Sequence, residues 1–117
     1  MIHPIVIAPT YNNARMLYDV LQRVVAQGVP VLVVNDGSTD DTQKILARWL
    51  IEQNGKGSND VLMHPVNRGK ADALRTGFAA AAGRGFTHAV TIDTDGQLDP
   101  VQIPELLAAA EAHPAAL

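Results

Sequence analysis

Two aspartates separated by a single residue carry the clearest chemical signal in this sequence. Asp93-Thr94-Asp95 directly follows a β-branched run at 88–92. Side chains two residues apart in an extended strand point to the same side, so both carboxylates face one site. Like charges this close repel each other unless a cation lies between them, and Mg²⁺ or Mn²⁺ bound by Asp93, Asp95 and phosphate oxygens would be that cation. The alternative is a turn that only caps the following helix.

A further carboxylate, Asp36, comes two residues after the aliphatic run 31–34. At the end of a strand it can accept hydrogen bonds from a nucleobase N–H or from ribose hydroxyls. The alternative is a turn aspartate that accepts from backbone N–H groups of the next helix. Ser38 stands at capping-box spacing from Asp41 and already offers a cap, so the sequence favours a ligand-binding role for Asp36.

Arg68 and Lys70 lie in the segment Asn67-Arg68-Gly69-Lys70, just before a helical pattern. Helix N-termini attract phosphate groups, and these two cations would add to that attraction. The segment is not a Walker A loop, because the upstream glycine is missing and Ala71 stands where that loop has a hydroxyl residue. The alternative reading of Arg68 and Lys70 is a pair of solvated surface cations.

The first β-branched run ends in Pro9-Thr10-Tyr11-Asn12-Asn13. Tyr11 can stack on a nucleobase or cover the edge of the core, and the sequence does not separate these two roles. Asn12 or Asn13 is expected to be the N-cap of the next helix.

Four short apolar runs alternate with helical periodicity, and each chemically distinctive segment follows one of them. The runs cover 5–8, 31–34, 60–63 and 88–92. Runs without polar alternation are typical of buried parallel strands, so the pattern predicts a three-layer α/β/α fold with a mostly parallel, Rossmann-like sheet. Ligands of such sheets bind beyond the carboxyl ends of the strands. Trp49 is expected in the core, and His64 is expected to be structural.

The composition limits the class of protein. The chain has 117 residues, 47% of them apolar, a formal net charge of −3 and no cysteine. The length predicts a single domain over residues 1–117, and the apolar content excludes a disordered chain. No basic surface is indicated, so nucleic acid is not an expected partner, and a thiolate metal site is excluded. No apolar stretch approaches the ~18 residues of a membrane span, and no signal peptide is evident, which favours the cytoplasm. The alanine-rich end without a capping glycine suggests a chain that continues beyond Leu117.

Taken together, these segments resemble family 2 glycosyltransferases with the GT-A fold, and most closely the polyprenyl-phosphate (dolichyl-phosphate) sugar synthases. The similarity runs from Ile5 to Pro104 with the order and spacing of the motifs intact. The matching segments are Pro9-Thr10-Tyr11-Asn12-Asn13, Val33-Val34-Asn35-Asp36-Gly37-Ser38-Thr39-Asp40, Asn67-Arg68-Gly69-Lys70-Ala71 and Asp93-Thr94-Asp95-Gly96-Gln97.

The resemblance implies a nucleotide-sugar-binding half that takes a UDP- or GDP-sugar, with a lipid phosphate at the cytoplasmic face of a membrane as an implied acceptor. It also implies Asp93 and Asp95 as ligands of Mg²⁺ or Mn²⁺. Asn13 stands where many relatives carry an acidic residue, and the chain offers no candidate for the general base. The implied donor-binding residues are Pro9, Thr10, Tyr11, Asn12, Asp36, Arg68, Lys70, Asp93 and Thr94.

Three other functions fit part of the sequence. A haloacid-dehalogenase-type phosphatase would use Asp93 as its nucleophile, although Gln97 replaces the usual hydroxyl residue. A sugar-phosphate nucleotidyltransferase would need a Gly-rich basic loop after the first strand, which residues 10–15 do not provide. A nucleotide-binding module that catalyses no transfer is the third.

Overall fold

A computed structural model describes residues 3–53 and 59–94 of the chain. Within these residues four parallel strands alternate with helices and form one sheet in the order β3-β2-β1-β4. This confirms the predicted mostly parallel sheet with helices. The helical pattern expected near 103–110 lies outside the described residues. The elements are β1 (Pro4–Thr10), α1 (Ala14–Val25), β2 (Val31–Asp36), α2 (Thr42–Glu52), β3 (Asp60–His64), α3 (Lys70–Gly83) and β4 (His88–Thr91).

The helices cover both faces of the sheet. On one face α1 and α2 pack against β1 and β2, and Trp49 is fully buried there, as predicted. On the other face α3 packs against the opposite sides of the same strands. Gly77 allows this close approach, because a Cβ there would lie 2.6 Å from Cγ2 of Ile7. Since β1 and β2 are inner strands with both faces buried, their sequences are apolar up to the polar residues at their carboxyl ends.

The order in which the chain adds strands to the sheet reverses at β1. From β1 the chain adds β2 and then β3 on one side, and α3 then returns it to place β4 on the other side of β1. Ligands of open α/β sheets bind beyond the carboxyl ends of the strands at such a reversal, which here lies between β1 and β4. Ile92 N donates to the carbonyl of Ile7 (3.1 Å), so the residues after β4 run on beside the end of β1.

One predicted helix cap is wrong. Ser38 does not cap α2: its Oγ accepts a hydrogen bond from the backbone N of Asn12 (3.0 Å). The N-cap position is held by Asp41, whose side chain makes no cap hydrogen bond, and Oδ1 of Asp40, one residue earlier, accepts from the backbone N of Thr42 (2.9 Å). A contact between two loops has displaced the local capping pattern, because the loop after β1 lies beside the loop after β2. None of the helices within 3–53 and 59–94 is both long and apolar enough to cross a bilayer.

Candidate functional site

A cavity of about 270 Å³ lies in the crevice beyond the carboxyl ends of β1, β2 and β4 and beside the N-terminus of α3. It brings together most of the residues that the sequence indicated, and it adds Asn13, Asn67, Gly69 and Ala73. Asp95 lies outside the described residues. The lining residues are Pro9, Thr10, Tyr11, Asn13, Asp36, Asn67, Gly69, Lys70, Ala73, Asp93 and Thr94.

Lys70 and Asp93 form an ion pair at the edge of this cavity. Lys70 is the first residue of α3, and its Nζ lies 2.5 Å from Oδ1 of Asp93, beyond the end of β4. Both side chains are partly exposed, at 61% and 39%. The first N–H groups of a helix have no intrahelical partner and attract anions. A phosphate group here would therefore meet the α3 N-terminus and the Lys70 ammonium together.

The donor set at Asp93 fits a divalent cation that is shared with a phosphate. No cluster of three or more His, Asp or Glu residues able to hold a metal occurs within residues 3–53 and 59–94. Mg²⁺ does not require such a cluster, because it is commonly held by one or two carboxylates plus substrate phosphates. The Asp93 carboxylate supplies one hard oxygen ligand of this kind at the cavity edge.

Asp36 lines the cavity but is already engaged by its own chain. The residue is only 3% exposed, and its Oδ1 accepts from His64 Nδ1 (2.7 Å) and from Arg68 N (2.9 Å). Its Oδ2 accepts from Gly69 N (2.8 Å). Burial raises the pKa of Asp36, but the hydrogen bonds from His64, Arg68 and Gly69 outweigh it and hold the pKa below its ordinary value. Asp36 is therefore an ionised carboxylate.

The sequence predicted that Asp36 is free to bind a ligand because Ser38 caps the helix. In the structure its carboxylate already accepts three hydrogen bonds from the protein. One donor is His64 at the end of β3, and the two backbone donors come from the segment before α3, which neither interpretation of the Asp-Gly turn predicted. A carboxylate has about four lone-pair positions, and three hydrogen bonds leave one of them for a ligand in the cavity.

Buried hydroxyls join the ends of β1 and β4. Thr94 Oγ1 accepts from Asn13 Nδ2 (2.8 Å) and lies 2.9 Å from Thr10 Oγ1. It is also 3.3 Å from the carbonyl oxygen of Pro9. Both threonines are buried, so they position the backbone that carries Tyr11 and Asp93. Asn13 occupies the N-cap position of α1, as one of the two predicted candidates, but its side chain makes no cap hydrogen bond and lines the cavity.

The side chains of Asn12 and Arg68 lie outside the cavity lining, in contrast to the expectation from the sequence. Asn12 has a φ of 52° and turns towards the loop after β2, where its Oδ1 accepts from Thr39 N (2.8 Å). Arg68 pairs along α3 with Asp72, at 3.6 Å from Nε to Oδ2. Both side chains satisfy neighbouring loop and helix groups. By contrast, Tyr11 is 43% exposed at the cavity, where an aromatic ring can stack on a ligand.

A family model described as Glycosyl transferase family 2 matches residues 5–117. The chain belongs to this family. That assignment replaces the phosphatase reading of Asp93-Thr94-Asp95-Gly96.

Among curated proteins, the chain is 32% identical over 114 residues to the undecaprenyl-phosphate 4-deoxy-4-formamido-L-arabinose transferase of Proteus mirabilis, covering 91% of this chain and 33% of the relative. It is also 32% identical over 105 residues to an uncharacterised protein of Methanocaldococcus jannaschii, covering 88% of this chain and 44% of that protein.

Two solved structures share the fold. A mannosyltransferase from Pyrobaculum calidifontis, solved with GDP-Man and Mn²⁺, matches with a TM-score of 0.67 and 28% identity over 80% of this chain and 27% of that one. The S. aureus protein TarS matches with a TM-score of 0.68 and 22% identity over 97% of this chain and 33% of that one, which supports the fold alone. The chain thus spans between a third and a half of the length of the curated relatives described above.

Proposed function

We propose that this chain binds a nucleoside-diphosphate sugar, UDP- or GDP-linked, together with Mg²⁺ or Mn²⁺. It would form the donor side of a glycosyltransferase. The observation that carries the proposal is that Asp36, Lys70 and Asp93 line one cavity at the point where the order of the strands reverses. The structural relative solved with GDP-Man and Mn²⁺ supports the same class of ligand.

Each of these side chains has a task that suits its surroundings. Asp36 accepts an N–H from the nucleobase at its remaining lone-pair position, and the exposed ring of Tyr11 stacks against the base. Lys70 and the N-terminus of α3 hold the diphosphate. Asp93, together with Asp95, would hold the divalent cation. The cation supplies Lewis-acid neutralisation of the charge that develops on the diphosphate leaving group.

For the acceptor we propose a polyprenyl phosphate at the inner face of a membrane. The support is the 32% identity to a transferase whose name specifies undecaprenyl phosphate. Deprotonation of an acceptor hydroxyl, where one is required, needs a general base, and none of the residues assigned above has that role. A transfer assay with a nucleotide sugar and polyprenyl phosphate separates a transferase from a module that only binds nucleotide.

The test of the donor site is calorimetric titration of UDP and GDP with and without Mn²⁺. One diphosphate should bind, and Mn²⁺ should strengthen binding by about tenfold, since Asp93 and Asp95 would hold the cation beside the phosphate groups. In the double variant Asp93→Ala, Asp95→Ala the gain from Mn²⁺ should disappear. The control is Asp41→Ala, because the Asp41 side chain is 77% exposed and absent from the cavity lining. Undiminished Mn²⁺-dependent binding in the double variant would falsify the assignment of the cation site.

A further inference from the structure

A chain of three side chains, of which Asp36 and His64 are buried and Thr76 is half-buried, lies behind the cavity and links β2, β3 and α3. His64, the last residue of β3, contacts Asp36 through Nδ1 (2.7 Å) and Thr76 of α3 through Nε2 (2.8 Å). The His64 and Asp36 side chains are 6% and 4% exposed. We propose that His64 is a positioning residue of the donor site, which orients Asp36 and fixes the segment that presents Lys70. The proposal rests on the proposed function, because it assigns His64 a part in binding that donor.

The hydrogen-bond partners of His64 show which ring nitrogen donates to Asp36. Asp36 is ionised and can only accept, so Nδ1 of His64 carries a proton and donates it. In the neutral ring Nε2 is then an acceptor, and the hydroxyl of Thr76 donates to it. Each polar atom of the ring has a partner, so the imidazole is held in one orientation.

The orientation of Asp36 is transmitted to Lys70 through the backbone. The Asp36 carboxylate receives the N–H groups of Arg68 and Gly69, the two residues that immediately precede Lys70. On the same side, a Cβ on Gly37 would lie 2.2 Å from the carbonyl carbon of Val66. The backbone of 66–69 is therefore pressed against the end of β2 and bonded to it. A change at His64 loosens the carboxylate that makes these bonds.

The series Asp36, His64, Thr76 has the order of a hydrolytic triad, but its location excludes that role. His64 is buried, and neither His64 nor Thr76 lines the cavity. The hydroxyl of Thr76 therefore has no route to a ligand in this site. Asp36 is the one member that reaches the cavity, which makes His64 a residue that acts through another.

Three variants test the two hydrogen bonds of the His64 ring one at a time and together. His64→Asn places an amide N–H₂ where Nδ1 stands and keeps a donor to Asp36, whereas His64→Leu removes both contacts. Thr76→Val removes only the contact at Nε2. With Mn²⁺ present, His64→Leu should weaken UDP or GDP binding by about tenfold, the equivalent of one charge-assisted hydrogen bond. His64→Asn and Thr76→Val should stay within about threefold of the wild type.

The outcomes distinguish this proposal from the proposed function. Wild-type protein that binds neither diphosphate overturns the donor site and the role of His64 with it. Wild-type affinity retained by folded His64→Leu overturns the role of His64 alone, as does an equal loss in His64→Asn and His64→Leu. Should His64→Leu fail to fold, ¹⁵N NMR of the wild-type imidazole replaces it: a proton on Nδ1 supports the proposal, and an Nδ1 without a proton overturns it.

Discussion

At the scale of single residues, the site depends on acidic groups whose surroundings differ. Asp36 is buried and held by three donors, whereas Asp93 is partly exposed and pairs with the Lys70 ammonium. The first arrangement stabilises one geometry, and the second leaves a carboxylate that can exchange an ammonium partner for another cation. A single cavity thus has a fixed end beside β2 and an adaptable end beside β4.

Asp36→Asn tests the end of the cavity beside β2, through the pH dependence of the free energy of unfolding. Because the pKa of Asp36 is lower in the folded protein, its ionised form stabilises the fold above the unfolded pKa, near 3.9, and this is lost as the pH falls through the folded value. At pH 5 the free energy of unfolding of the variant should be about 3 kcal/mol lower, since the substitution removes the charge of a buried carboxylate that accepts three hydrogen bonds. The difference from the wild type should shrink at pH 3. Urea unfolding at both pH values measures it.

The matched control is Asp19→Asn, in which the carboxylate is 71% exposed and pairs with Arg23 at 3.5 Å. Surface pairs contribute little, so its free energy of unfolding should stay within about 0.5 kcal/mol of the wild type. An Asp36→Asn loss that is the same at pH 5 and pH 3 would show that the Asp36 contribution does not come from its charge.

At the scale of elements, two loop-to-loop contacts assemble the site. The loop after β1 is bonded to the loop after β2 through Asn12, and the loop after β2 presses on the segment before α3 at Gly37. The strands and helices form the scaffold, but these two loop contacts determine the positions of Tyr11 and Lys70. Damage to either contact should therefore affect binding more than it affects secondary structure.

Gly37→Ala tests the second contact, with Gly28→Ala as its control. Both glycines have positive φ, +69° and +75°, so both substitutions cost about 1 kcal/mol of backbone strain. Only at Gly37 does the added Cβ meet backbone, 2.3 Å from the N of Asn67. We expect Gly37→Ala to cost about 2 kcal/mol more than Gly28→Ala in urea unfolding, from overpacking. Nucleoside diphosphate affinity should fall in Gly37→Ala alone. If the two variants lose the same free energy of unfolding, the backbone of residues 66–67 moves to accommodate the added Cβ at no energetic cost.

At the scale of the whole molecule, one cavity joins the ends of three strands to the helix that crosses the sheet behind them. Its lining comes from the ends of three strands and from the start of α3, which crosses the opposite face of the sheet from α1 and α2. A ligand in this position links elements that are otherwise joined through the sheet and a few loop contacts. Ligand binding and global stability should therefore be coupled.

Thermal unfolding with ligand present measures this coupling. At a concentration one hundred times its dissociation constant, a ligand that binds only the folded chain adds about 2.7 kcal/mol to the free energy of unfolding. For a chain of this size that corresponds to a rise of about 10 °C or more in Tm. UDP or GDP with Mn²⁺ should produce this rise, and Mn²⁺ with inorganic phosphate should produce less. Equal rises for diphosphate nucleotide and phosphate would argue against nucleoside recognition.

The sequence by itself determined the parallel α/β architecture, because apolar runs and helical stripes follow from the periodicity of neighbouring residues. It also determined that chemistry gathers at the carboxyl ends of the strands, since that edge is common to parallel strands. It could not determine the partners of those side chains. Asp36 binds groups 28, 32 and 33 residues away, and Lys70 meets Asp93 across 23 residues. Such contacts depend on strand order, register and the path of α3, which only the tertiary structure decides. For that reason the side chains of Asn12 and Arg68 lie outside the cavity where the sequence predicted them, and Asn13 lines it. His64 lies behind the cavity, in contact with Asp36.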